Sequence, residues 1–125
     1  MEKICKERGY NYKDQVDSNK INLPEKLQIF FTEHIHYDEE IRFFLNGSGY
    51  FDVRSSDDKW VRIELYRGDM IVLPAGIYHR FAPDDKMFFH VMRLFQGEPV
   101  WTPYNRGTKE ADESQVRSNY VKSVN

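Results

Sequence analysis

The chain lacks most of what would make a cross-linked, membrane-spanning or nucleic-acid-binding protein. Its only cysteine is Cys5, which excludes an internal disulfide and a zinc cluster built on several thiolates, and agrees with a reducing compartment. No apolar run approaches the roughly 20 residues that cross a bilayer as a helix. Charges occupy the amino terminus where a signal peptide would need its apolar stretch. Net charge is only −2, with 18 Lys and Arg against 20 Asp and Glu, and the basic residues are spread rather than clustered. The long-range field therefore gives no reason to expect nucleic acid or an anionic membrane as partner. A soluble intracellular protein is expected, and 125 residues suit a single core.

Aromatic side chains are abundant instead: nine Phe, eight Tyr and two Trp. Large rings in a chain otherwise rich in charge suit the space between packed sheets. From Glu33 onward short strand patterns alternate with turn residues at near-regular spacing, the signature of an all-β sandwich or barrel. The turns are Asn46-Gly47-Ser48-Gly49, residues 55–59, Arg67-Gly68-Asp69, Pro74-Ala75-Gly76 and Pro83-Asp84-Asp85. Val61, Ile63 and Leu65 alternate with polar neighbours, which predicts a strand with one wet face. The run Met70-Ile71-Val72-Leu73 predicts a strand covered on both sides, and residues 87–95 predict another strand. Before Glu33, residues 2–8 read as weakly helical, Asp17-Ser18-Asn19 as a loop, and Pro24 as the first position of a short helix running toward Phe30. These patterns divide the chain into a helical segment over 1–30, a β domain over 31–107 and a tail or helix over 108–125.

Chemistry concentrates in four residues. His34, His36 and Glu40 stand close together, and His79 follows the turn at Pro74-Ala75-Gly76. Successive side chains of a strand point to opposite faces, so the even positions 34, 36 and 40 can aim inward together, with His79 supplied by a neighbouring strand. Three imidazoles and one carboxylate can hold an octahedral divalent ion and leave two positions open. Iron, manganese and nickel all suit such donors, and a closed structural zinc site is the lesser alternative. A histidine in a strand taken singly is more often structural, as His90 is read here. Parity with Glu40 makes Arg42 and Phe44 its cavity neighbours, and parity with His79 does the same for Phe81. Arg42 either neutralises an anionic substrate oxygen or balances the buried charge of Glu40.

The spacing is itself a pattern. His34-x-His36-x3-Glu40-x6-Gly47 and Gly68-x5-Pro74-x-Gly76-x2-His79 reproduce the two motifs of the cupin superfamily. Eight fixed identities at about one in twenty each make coincidence a poor explanation. In that pattern Gly47 folds the ligand strand back on its partner and Gly76 permits the tight reversal before His79. The resemblance implies a cupin double-stranded β-helix, a jelly-roll-like barrel, with short flanking helices.

A narrower resemblance covers nearly the whole chain. The run Phe31-Thr32-Glu33-His34-Ile35-His36-Tyr37-Asp38-Glu39-Glu40-Ile41-Arg42, then Gly47-Ser48-Gly49-Tyr50-Phe51-Asp52-Val53-Arg54 and Leu73-Pro74-Ala75-Gly76-Ile77-Tyr78-His79-Arg80-Phe81, resembles the acireductone dioxygenases of methionine salvage. So do Met92-Arg93-Leu94-Phe95 and Glu98-Pro99-Val100-Trp101. The resemblance implies one Fe²⁺ per chain, with Ni²⁺ as the alternative, held by His34, His36, Glu40 and His79. It implies Arg42 as the catalytic cation, with Phe30, Phe81, Arg93 and Trp101 binding substrate. It implies acireductone and O2 as substrates, 4-methylthio-2-oxobutanoate and formate as products, and carbon monoxide release with nickel. A monomer in the cytoplasm, and in the nucleus as well, is expected. Familiar members begin a few dozen residues earlier, so an amino-terminally shortened member is expected. The competing reading is a weakly active or inactive metal-binding cupin that acts through a protein partner on the exposed barrel face.

Overall fold

Short runs rich in aromatic and β-branched residues, separated by turns, set most of the elements. The computed structural model describes residues 12–21, 23–95 and 103–124. In chain order it contains β1 (Tyr12–Asp17), α1 (Leu23–Phe31), β2 (His34–Ile35), β3 (Glu40–Arg54), β4 (Trp60–Tyr66), β5 (Met70–Leu73) and β6 (His79–Pro83). These are followed by β7 (Phe89–Phe95), β8 (Tyr104–Asn105), α2 (Lys109–Asp112) and α3 (Gln115–Val124).

All pairing is antiparallel, and β3 organises it. Its first half lies between β7 and β5, with β1 beyond β7, which makes one sheet. Its second half lies between β4 and β6, with β2 and β8 beyond β6, which makes the other. The strand passes from one sheet to the other at Asn46 and Gly47, next to a break in register between Phe44 and Asn46. Such an irregularity bends a strand and raises its twist. The expected turn at Asn46-Gly47-Ser48-Gly49 is therefore a bend inside one continuous strand. Gly47 takes φ +74°, and a Cβ there would stand 2.3 Å from the Phe88 carbonyl oxygen, so no other residue fits.

Phe44, Phe51, Leu65, Leu73, Ile77, Phe81, Phe89 and Val91 form the core between the sheets. Phe81 is its hub, with ring centroids 4.8 Å from Phe89 and 5.1 Å from Phe51 at the steep angles aromatic pairs favour. The helix expected from Pro24 forms as α1 and lays Phe30 edge-on to Phe81, at 6.1 Å.

Several expectations need correction. The segment over 1–30 is not helical throughout: residues 12–17 form a strand because β7 offers them a free edge, in register from Tyr12 opposite Phe95 to Asp17 opposite His90. The expected helix over 2–8 lies outside the described residues. Met70–Leu73 is not covered on both sides: Met70 stays 38% exposed, Ile71 and Val72 are half-buried, and within the strand just Leu73 is buried. Val61 is 46% exposed on an edge strand, whereas Leu65 of the same face is buried. The barrel is not closed: pairing among the described residues runs β1-β7-β3-β6-β2-β8 and leaves its ends open. Two packed sheets joined through a shared strand bury the aromatic core without closure. The tail over 108–125 contains two helices, the first capped by the Thr108 side chain. Among the described residues no helix is long and apolar enough to cross a membrane.

Candidate metal centre

The histidine spacing acts through two different sheets. His34 lies on β2, directly opposite His79 on β6. The chain then leaves the strand at His36 and resumes at Glu40, the first residue of β3, in the other sheet. Positions 34, 36 and 40 thus do not share one strand, as parity assumed; the break between Ile35 and Glu40 carries the chain across the gap. The three imidazoles converge all the same. Ring centroids are 4.5 Å apart for His34 and His79, 4.9 Å for His34 and His36, and 5.5 Å for His36 and His79. One nitrogen from each lies within 4.8 Å of the others, close enough to hold one ion.

Backbone carbonyls set the tautomers. His34 Nδ1 lies 2.6 Å from the Thr32 carbonyl oxygen and His79 Nδ1 lies 2.9 Å from that of Ile77. A carbonyl only accepts, so Nδ1 carries the proton in both rings and the Nε2 lone pair is left for a cation. Burial pushes the His79 imidazole well below its ordinary pKa, with His34 and His36 beside it adding to the shift. Burial also lowers His34. Both rings are therefore neutral at physiological pH, as ligands must be.

Glu40 is 1% exposed, with His36 Nε2 at 3.3 Å from Oε1 and Arg42 Nη2 at 2.6 Å from Oε2. Burial alone would raise its pKa, but the charge of the Arg42 guanidinium outweighs that and holds it below the ordinary carboxylate value. Neither carboxylate oxygen has a hydrogen-bond donor in line with it. Arg42 balances the charge of Glu40 from one side, and the lack of well-aligned hydrogen bonds leaves oxygen lone pairs to offer a further cation. Preset tautomers and an under-satisfied carboxylate fit a divalent ion bound by nitrogen and oxygen donors.

A cavity of about 110 Å³ opens beside the imidazoles, lined by Phe30, Phe81, Arg42 and Arg93 among others. Four of the expected substrate-side residues thus come together, while Trp101 lies outside the described residues. Phe44, expected at the cavity by parity, is fully buried in the core behind Phe81 instead. Arg42 and Arg93 are opposite one another on β3 and β7, and each guanidinium has its own carboxylate. For Arg42 that is Glu40; for Arg93 it is Asp14, with Nε to Oδ1 at 2.9 Å and Nη2 to Oδ2 at 2.7 Å. Asp14 is a residue the sequence did not single out, since its partner stands 79 positions away. Val16, Phe51 and Val91 of the wall were likewise not expected there. His90 faces away and meets Gln15 at 2.7 Å, as a structural histidine does.

Two antiparallel sheets that gather imidazoles and a carboxylate beside an apolar cavity define a metal-binding cupin. The chain belongs to the ARD/ARD' family, whose model matches residues 1–103. It is 55% identical to an acireductone dioxygenase of Ixodes scapularis, over 99% of this chain and 68% of that protein. It is 56% identical to one of Rattus norvegicus, over 98% of this chain and 68% of that protein. Among solved structures, an acireductone dioxygenase from Bacillus anthracis with a cadmium ion in its active centre superimposes with a TM-score of 0.75. The two share 34% identity, over 82% of this chain and 60% of that one.

Proposed function

We propose that the chain is a metal-dependent dioxygenase that cleaves acireductone with O2, giving 4-methylthio-2-oxobutanoate and formate in methionine salvage. The observation that carries this is the imidazole cluster with preset tautomers beside an apolar cavity, in a chain of this family. His34, His36, Glu40 and His79 would hold one ion per chain, Fe²⁺ for this reaction and Ni²⁺ for the one that releases carbon monoxide. Such an ion, when bound, acts as a Lewis acid on an enediol and makes its hydroxyls easier to deprotonate.

The chain's own residues do the rest. Arg42 presents a positive charge close to Glu40 and holds the negative charge of the enediolate. Phe30 and Phe81 receive the methylthio tail and keep water from that end of the cavity. Arg93, fixed by both oxygens of Asp14, orients the oxygenated end without adding net charge. Trp101, outside the described residues, keeps the substrate-binding role that the family resemblance implies. A cytoplasmic location is in keeping with its lone cysteine. A role limited to protein contacts is not favoured, because proteins bearing the dioxygenase name align over 99% of the chain.

The test is oxygen uptake by purified protein loaded with Fe²⁺, followed by identification of the products. Acireductone-dependent uptake with formate release is expected. Stoichiometric iron without uptake would overturn the proposal.

A further inference from the structure

The segment after Pro103 reaches the neighbourhood of every imidazole. Asn105 on β8 is the register partner of His34. Tyr104 stacks flat on Tyr37, which follows His36, with centroids 4.0 Å apart and 9° between planes. The Tyr37 hydroxyl donates to the Glu110 carbonyl. Helix α3 closes on the turn before His79. Arg117 Nη1 donates to the Gly76 carbonyl at 3.0 Å, and Gly76 N donates to the His36 carbonyl, also at 3.0 Å. One peptide residue thus joins the backbone of His36 to the side chain of Arg117. Tyr78, next to His79, is buried with the guanidinium carbons of Arg117 and Arg106 at 4.4 and 4.7 Å from its ring centroid, and its hydroxyl meets Asp112. The fit leaves no slack: Gly76 has φ +84°, and a Cβ there would stand 2.7 Å from the Val116 carbonyl oxygen.

We propose that Arg117 is a positioning residue for the metal centre, fixing the spacing of His36 and His79 through Gly76. It touches no donor atom itself. Its guanidinium holds the carbonyl of the Gly76–Ile77 peptide, while the N–H of the preceding Ala75–Gly76 peptide holds the His36 carbonyl. The two planes meet at the Gly76 Cα, the freest joint a backbone has; without Arg117 the second plane keeps only the 3.3 Å bond from Ile77 N to the Pro74 carbonyl, and His36 and His79 lose a firm common reference. The proposal rests on the reading of His34, His36, Glu40 and His79 as ligands.

The experiment measures Ni²⁺ affinity of the full chain by competition with a chromophoric chelator, alongside the visible spectrum with Co²⁺ and the melting temperature of the metal-free protein. Arg117→Met is expected to weaken Ni²⁺ binding about tenfold, as loss of groups behind metal ligands commonly does, and to alter the Co²⁺ bands. Arg117→Lys, which can still donate to Gly76, is expected to recover most of that loss. Should Arg117→Met not fold, Arg117→Gln takes its place, with affinity falling from Arg to Lys to Gln. Gly68→Ala, which strains a left-handed φ of +91° in the turn between β4 and β5, serves as a variant that lowers melting temperature and keeps the affinity. Wild-type affinity in Arg117→Met, equal loss in Gly68→Ala, or no recovery by lysine would each overturn the positioning role. Glu40→Ala separates the two levels. If it binds Ni²⁺ normally, the ligand reading itself fails; if it loses the ion while Arg117→Met does not, only the positioning role fails.

Discussion

Arg42 is where two readings of one side chain come apart. It lies 2.6 Å from the carboxylate of Glu40 and also lines the cavity. If its work is done on substrate, Arg42→Ala should keep its metal and lose about 10²-fold or more in turnover, the usual size of a lost oxyanion partner. Metal content and oxygen uptake measured on the same sample check this. Loss of metal would instead make Arg42 the balancing charge for Glu40, whose burial is otherwise unfavourable. The cluster of His34, His36 and His79 was legible in the sequence because donor type and spacing are local properties. Parity gave the right neighbours for Arg42 and Phe81, yet for His36 and Glu40 it rested on a continuous strand that the structure breaks. Asp14 was not legible at all: nothing near it in sequence reveals that β7 will bring Arg93 alongside.

Among the elements, the bend of β3 is the one the site depends on. It delivers Glu40 in one sheet and sets the second half of the strand against β6, which carries His79. Gly47→Ala forces both a left-handed φ and a contact at 2.3 Å with backbone. A loss on the order of 3 kcal/mol is expected, from strain and overpacking together, read as a fall in the denaturant midpoint with little change in slope. The sequence marked Gly47 correctly as a special position but gave it a turn, since a bend within a strand and a turn between strands ask for the same residue. Strand β1 escaped notice for another reason: six residues without a strong period become a strand only when a neighbour's edge is free.

Acid stability is a property of the whole molecule, and Asp52 is one of its clearest contributors. It is buried on β3 and accepts from Arg62 on β4 and Arg80 on β6, at 2.8 to 2.9 Å. Burial would raise its pKa, but the hydrogen bonds of Arg62 and Arg80 outweigh that and leave it lowered from 3.8. The stabilisation is therefore complete above that ordinary value and is lost as pH falls through the lowered one. Replacing Asp52 with Asn should cost about 2 kcal/mol at neutral pH and flatten the acid limb of melting temperature against pH. An unchanged acid limb would assign that limb to other carboxylates.

The passage of β3 through both sheets has a consequence for cooperativity. Four strands bond to this one segment, so neither sheet has a boundary along which it could separate and leave the other intact. Glu40 opens the strand, and Val53 near its far end lies opposite His79. Glu40 and His79 are thereby tied to a single transition, and a half-folded chain does not bring the imidazoles and the carboxylate together.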